Sequence, residues 1–243
     1  MPDSIQSYRN LVEEPWGRMF YDLVFDQLPI SDEKRLNILD FGAGFCLTAD
    51  HYAKEHNVIA VEPNEEMVSL RFKENDYSLI KQGIEYIFSI PDNSFDVVLC
   101  HNVLEYITDK ESVIKQLARV LKPEGKLSII KHNLSGKVIS YAVRKDDPKT
   151  ALELLDDSEA LSCLFGKQEV YGNEYLIKMF ADEMDLDETY GLRSFFGLSS
   201  NDEIKYGDEW YKAMLKLEQK ASRMEEYKGI AYFNHLIFTK RGE

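Results

Sequence analysis

The sequence predicts an α/β fold, a mostly parallel sheet with helices on both faces, on three observations. Four short runs, "LNILDFG", "VIAVE", "FDVVLCH" and "KLSIIKH", are apolar at nearly every position, as strands buried on both faces are. Stretches with helical spacing of apolar residues separate them, so strand and helix alternate along the chain. Two glycines one residue apart, Gly42 and Gly44, directly follow the first run, at the strand-to-helix turn where open α/β sheets bind nucleotides.

The elements follow in order. Leu11, Phe20, Leu23, Val24 and Leu28 form one apolar face of a helix over 11–28, with Pro15 near its start and Pro29 as its stop. Strands over 36–42 and 58–62 flank a helix over 45–56, a βαβ unit. A helix over 64–74, a short strand over 78–81, a strand over 95–101 and a helix over 110–121 come next. The turn "KPEG" leads into a strand over 126–132. After Asn133 the alternation breaks. The stretch 134–172, carrying "RKDDPKTALELLDDSEALS", reads as a lid or substrate-binding insertion after the fifth strand. A helix over 174–184, a strand over 188–196, a long helix over 202–226 and a closing strand over 230–240 complete the chain. One domain over 1–243 is expected, with 134–172 as an insertion within it.

Composition narrows the function. With 44% hydrophobic residues the chain can bury one sizeable core. It offers no run of eighteen apolar residues and no export signal at its start, so a cytoplasmic protein without a membrane anchor is expected. Cys46, Cys100 and Cys163 lie far apart, which argues against a disulfide framework or a zinc site and for buried small side chains. No metal is expected. A net charge of -14, from 29 basic and 43 acidic residues, repels polyanions.

The glycine turn raises the question of which nucleotide it holds. A dinucleotide fingerprint wants a third glycine at position 47, where this chain has Leu47. Asp40, just before the turn, would repel a pyrophosphate but suits the cationic amino end of a methionine-like ligand. Glu62, 20 residues beyond Gly42 at the end of the second strand, is placed to accept hydrogen bonds from ribose hydroxyls. The turn Gly42-Ala43-Gly44 therefore reads as built for S-adenosylmethionine (SAM), with S-adenosylhomocysteine as its product.

At these residues the chain resembles the class I SAM-dependent methyltransferases of the methyltransferase-11 type, through "LDFGAG", "VIAVEPNEEMV", "IPDNSFDVVLCHNVLEYITD" and "LARVLKPEGKL" in order. The resemblance implies their Rossmann-like fold with a seven-stranded sheet, and a cofactor site that takes in Pro63 and Met67 beside Asp40, Gly42, Ala43, Gly44 and Glu62. The family's third small residue is replaced by Cys46, and its acidic adenine-side residue by "KQGIEYI". Adenine recognition then falls to backbone groups of Gly83 and Ile84, with Glu85 a partner for the exocyclic amine. Within the family, "NVLEYITDKESVIKQLARVLKPEGKLSIIKHNLSG", "GLRSF", "LKLE" and "YFNHLIFT" are similar to the tRNA wobble-uridine carboxyl methyltransferases. That group needs a basic lid, whereas Asp146, Asp147, Glu153, Asp156, Asp157 and Glu159 make this one acidic.

The remaining candidates each carry two readings. His101 ends the fourth strand at the cofactor crevice, for cofactor or substrate contact or for packing. His132 and Asn133 end the fifth strand, for substrate contact or loop capping; His101 and His132 are the candidate general bases. Trp16 and Arg18 either close over the methionine moiety, with Arg18 pairing its carboxylate, or belong to an ordinary amphipathic helix. Tyr171, Tyr175, Tyr190, Phe195 and Phe196 form an aromatic concentration for core packing or for stacking on a planar substrate. His51 and His56 are expected on the surface and His235 in the sheet.

The expected function is methyl transfer from SAM to an oxygen or nitrogen of a small-molecule acceptor bound near Asn133, Tyr171 and Tyr175. The alternatives are a tRNA wobble-uridine carboxyl methyltransferase and, in another class, a SAM-binding protein that transfers nothing. Oligomeric state is left open.

Overall fold

The computed structural model describes residues 4–31, 33–156, 162–163 and 166–242. Seven strands form one sheet: β1 (Asn37–Phe41), β2 (Asn57–Val61), β3 (Ser78–Ile80), β4 (Phe95–His101), β5 (Leu121–His132), β6 (Met184–Leu192) and β7 (Phe233–Lys240). Their neighbour order is β3-β2-β1-β4-β5-β7-β6. β1 runs parallel to β2 and to β4, β2 to β3, and β4 to β5. The C-terminal ends of these five strands therefore point to one edge of the sheet. Chain order reverses between β1 and β4, which makes that edge the ligand-binding crevice of an open α/β sheet.

By packing, the described chain divides into two compact units, each drawn from three segments. The unit that carries the glycine turn comprises Ile30–Ile130, Glu174–Glu188 and Leu236–Glu243. It holds β1 to β4 and the helices α3 (Leu47–Tyr52), α4 (Glu65–Ser69), α5 (Tyr86–Ser89), α6 (Lys110–Val120) and most of α9 (Asn173–Phe180). Ile38, Leu39, Val98, Leu99, Leu117, Leu127 and Ile129 are its buried centre. Each such side chain contributes about 1.5–3 kcal/mol through removal from water. α6 starts on a cap, Asp109, whose side chain accepts the Ser112 N–H.

The other unit comprises Met1–Pro29, Lys131–Asn173 and Thr189–His235. It holds α1 (Ile5–Glu13), α2 (Pro15–Gln27), α7 (Leu134–Ile139), α8 (Pro148–Asp156), α10 (Asp208–Ala221) and α11 (Glu225–Lys228). Met19, Phe20, Leu23 and Val24 are the buried stripe of α2, and Phe20 packs edge-on to Phe233 at 5.2 Å. Within 134–172, Tyr141, Ala151 and Leu154 form a small core of their own with Leu134 and Val138 packed against it. A π-helical turn, Ser140–Arg144, joins α7 to α8, and a two-residue antiparallel ladder pairs Ser162–Cys163 with Gly166–Lys167. The acidic positions 157 and 159, and the side chain of residue 163, lie outside the described residues. No described helix is long and apolar enough to cross a membrane.

Several boundaries differ from the sequence reading for identifiable reasons. The single helix expected over 11–28 is two, because Glu14 is extended (φ -73, ψ 165). The residue before a proline is driven out of the helical region, here by Pro15. The "KPEG" turn is part of β5, where the ladder to β4 shifts register between Phe95 and Val97 and Glu124 takes a left-handed φ of 63. The strand expected over 188–196 runs four residues earlier and stops where Arg193 turns left-handed at φ 63. The long helix over 202–226 is α10 and α11, each with its own start.

Candidate cofactor site

The turn after β1 is shaped by three left-handed residues, Gly42 (φ 76), Gly44 (φ 56) and Cys46 (φ 56). A Cβ on Gly42 would stand 2.4 Å from Cγ2 of Val103, so glycine is required there by space as well as by conformation; one on Gly44 would stand 3.1 Å from the flexible Cε end of Met67, so there the left-handed φ is the stronger reason. The backbone donors of the turn are already spent. The N–H groups of Gly42 and Ala43 both donate to the Val61 carbonyl at 2.9 Å. The Gly44 N–H donates to Oε2 of Glu62 at 2.8 Å. A dinucleotide site leaves such donors to a pyrophosphate; this turn turns them on its own chain.

Glu62 lies at the end of β2 and is buried. Its other oxygen, Oε1, accepts the Asn64 N–H at 2.8 Å. Burial raises its carboxyl above the usual range, opposed by the bonds from Asn64 and Gly44. Each oxygen keeps a second lone pair, so a diol can still be bound by both. Asn64 in turn caps α4 by accepting the Met67 N–H, and the end of Met67 lies against Gly44 of the turn, while Pro63 is exposed.

Asp40 is 3% exposed, and its Oδ2 is buried with no hydrogen-bond partner. Burial lifts its carboxyl to about 7, with a bond from the Ala49 backbone pulling it down and the charge of Glu62 adding to the rise. An orphaned carboxylate oxygen in such a place is satisfied by a cation, and the amino end of SAM is one. The donor set and the glycine cradle thus fit SAM.

Further along the same edge, Gly83 donates its N–H to Oε1 of Glu85 at 2.9 Å, in a loop where Ile84 and Glu85 are exposed. Nε2 of His101 pairs with Oγ of Ser128 at 2.8 Å. Burial pulls the His101 imidazole down to about 3, so it is neutral near neutral pH. Asn102, a residue the sequence reading passed over, follows at φ 56 with a buried Oδ1 that has no partner. A left-handed Asn at a strand's end has no sequence signature beyond its residue type.

The other candidates lie in the unit that begins with α1, apart from Tyr175, which is half-buried on α9. Trp16 stacks on Phe20 at 6.2 Å. Arg18 is largely exposed, lies 4.2 Å over the Tyr211 ring and meets Asp22 at 3.9 Å. Nδ2 of Asn133 donates to the carbonyls of Gly229 and Ala231 at 2.8 and 2.9 Å, the loop-capping geometry. The Tyr171 carbonyl accepts from the buried Lys131 at 2.7 Å.

His132 sits against Phe233, ring centroids 4.6 Å apart. Its Nδ1 is 2.8 Å from Nε2 of Gln168, whose Oε1 accepts from the buried Lys137. A lysine only donates, so the Gln168 oxygen faces Lys137 and its NH2 faces His132. Nδ1 of His132 is then an acceptor, and the ring carries its proton on Nε2. Phe195 packs on Tyr227, Phe196 on Trp210 and Tyr190 on His235, which accounts for most of the aromatic concentration as packing. His56, expected on the surface, is buried at 3%, because its ring closes over the start of β1 and faces the Leu36 N–H. His235 lies in β7 as expected, bonded to Gln27 at 2.9 Å.

Residues 39–129 match the model of the methyltransferase domain family. The chain is 28% identical over 184 residues to norajmaline N-methyltransferase of Rauvolfia serpentina, covering 68% of this chain and 59% of that one. It is 29% identical over 118 residues to the tRNA 5-carboxymethoxyuridine methyltransferase of Escherichia coli, covering 45% of each. The chain thus spans less than two thirds of the length of either relative. A SAM-dependent methyltransferase of Thermotoga maritima shares the fold at a TM-score of 0.63 and 15% identity, over 98% of this chain and 96% of that one.

Proposed function

We propose that this chain, whose residues 39–129 match the methyltransferase domain family and whose fold is that of a SAM-dependent methyltransferase, transfers a methyl group from SAM to an oxygen or nitrogen of a small-molecule acceptor. The observation that carries this reading is the buried, unpartnered Oδ2 of Asp40 beside a glycine turn whose own N–H groups are taken. SAM supplies a methyl group made electrophilic by the positive sulfur that bears it.

The residues have separate tasks. Asp40 accepts the cationic amino end, and Glu62 accepts the ribose hydroxyls while stapling Gly44 to Asn64. Pro63 and Met67 bound the ribose side, and the loop of Gly83, Ile84 and Glu85 the adenine side. His101, neutral and bonded to Ser128, lines the site as a hydrogen-bonding group and is too weak a base to take a proton near neutral pH. The protein contributes alignment and exclusion of water, effects that reach about 7–11 kcal/mol when reacting atoms are well oriented.

A small acceptor is favoured over RNA because the chain is strongly acidic and several of its basic residues are paired within it. Lys137 is buried and bonded to Gln168, Arg144 pairs with Asp202 at 2.6 Å, and Lys145 lies 3.6 Å over the Tyr141 ring. Lys240 donates to the Leu121 carbonyl and Arg241 pairs with Asp185. Exposed lysines remain, Lys54, Lys73, Lys81 and Lys149 among them, but a net charge of -14 opposes the approach of a polyanion. The likeness to the tRNA enzyme of Escherichia coli keeps the second reading, a carboxyl methyltransferase acting on tRNA. A methyl-release assay over a panel of small acceptors and over tRNA lacking the wobble methyl ester tests both. Turnover on a small acceptor supports the first reading; turnover confined to tRNA replaces it with the second.

A further inference from the structure

Arg193 is the least expected group in the molecule. It ends β6 in a left-handed conformation, is 5% exposed, and its Nε and Nη1 are buried without a hydrogen-bond partner. Four aromatic rings surround the guanidinium: Trp16 at 4.4 Å, Tyr232 at 5.6 Å, and Phe196 and Phe233 at 5.8 Å each. Ring faces offset part of the lost hydration of a cation, but they leave its in-plane N–H groups unanswered. Burial lowers this arginine only to about 10, so it remains charged at neutral pH.

The nearby carboxylate does not answer them either. Glu218 on α10 is 1% exposed, and its oxygens accept the N–H groups of Ser194, Phe195 and Phe196 at 2.7, 2.8 and 2.7 Å. Glu218 thus holds the chain after Arg193 in place and supplies one negative charge at longer range. A buried charge with unmet donors is costly and is kept where a ligand completes it.

We infer that Arg193, caged by Trp16, Phe196, Tyr232 and Phe233, is a binding site for a small aromatic or heteroaromatic monocarboxylate. A carboxylate matches the charge of one guanidinium and its planar donors. A dianionic phosphate would leave an excess charge in apolar surroundings already facing Glu218. The rings supply flat apolar faces for a planar body attached to the carboxylate. Trp16 is half-buried, the only cage member besides Tyr232 with solvent access, so its ring is the part that yields to a ligand. As the substrate class of the proposed methyl transfer this rests on that reading. The binding itself lies within one unit and is tested without SAM.

The chain has two tryptophans, so a Trp210→Phe background leaves Trp16 as the sole indole reporter. Its fluorescence is followed during titration with benzoate, benzamide and phenyl phosphate in the absence of SAM. Benzoate is expected to give a saturable change and to bind at least about tenfold tighter than benzamide, the worth of one charge-assisted hydrogen bond. In the same background Arg193→Lys, with unchanged far-ultraviolet circular dichroism, is expected to lose at least about tenfold in benzoate affinity, because the planar fork is gone. Equal affinity for benzoate and benzamide, tighter binding of phenyl phosphate, or no saturable response to benzoate would overturn the assignment. Where the lysine variant does not fold, the comparison of ligands on the parent protein decides. None of these outcomes bears on whether SAM binds.

Discussion

The carboxylate of Glu62 holds the N–H of Gly44 at 2.8 Å, and so ties the end of β2 to the turn after β1. The same side chain holds the Asn64 N–H, so one residue fixes both sides of the place proposed for the ribose. Glu62→Gln keeps the size but leaves one acceptor oxygen for these donors and for the ribose. SAM affinity is expected to fall at least about tenfold, since a hydrogen bond to a charged group contributes about 1.5–3 kcal/mol. Calorimetry checks this; unchanged affinity in the folded variant would remove Glu62 from the site.

Gly42 combines a left-handed φ of 76 with a Cβ direction that ends 2.4 Å from Val103. Gly42→Ala should cost about 1–3 kcal/mol, from backbone strain and displacement of Val103. Adding Val103→Ala should restore only part of it, because the strain stays. Urea denaturation of the two variants measures both; no loss in Gly42→Ala would contradict the turn geometry.

The strands and the glycine turn were legible because their causes are local. β4 was read to the residue, its seven positions being apolar at nearly every one between polar flanks. The placement of Asp40 and Glu62 beside the turn was readable from their distance to Gly42 and Gly44. The split of the first helix follows from Pro15, a signal present in the sequence but read as a start for one helix. Arg193 and Glu218 escaped because 24 residues separate Ser194 from its partner and nothing in either segment marks them as neighbours. The Lys137, Gln168 and His132 relay escaped for the same reason, its members being joined across 31 and 36 residues.

That relay makes His132 a neutral ring protonated at Nε2. Gln168→Glu replaces the NH2 group facing Nδ1 with a carboxylate oxygen, which moves the proton to Nδ1 and raises the imidazole pKa. Nitrogen-15 chemical shifts of the ring are expected to report the Nε2–H form in the parent protein and a higher titration midpoint in the variant. An Nδ1–H form in the parent would contradict the relay.

Titration with tRNA lacking the wobble methyl ester is expected to show no binding tighter than about 10 μM at physiological salt, the weak end of non-specific affinity. Submicromolar binding that weakens steeply with salt would contradict the small-molecule reading.

Proton release on binding decides whether Asp40 receives the cationic end of SAM. Burial raises this carboxyl from 3.8 to about 7, so it is mostly protonated at pH 6 without ligand. Between those values the folded chain holds a proton that the unfolded chain lacks, so this group makes stability fall as pH rises through that window. A cation beside it favours the carboxylate, so SAM affinity should rise with pH and level off above about 7. Calorimetry at pH 6 in buffers of different ionisation enthalpy is expected to show release of close to one proton per SAM bound, and none in Asp40→Asn. Tight SAM binding at pH 6 without proton release, or with the same release in Asp40→Asn, would contradict the account.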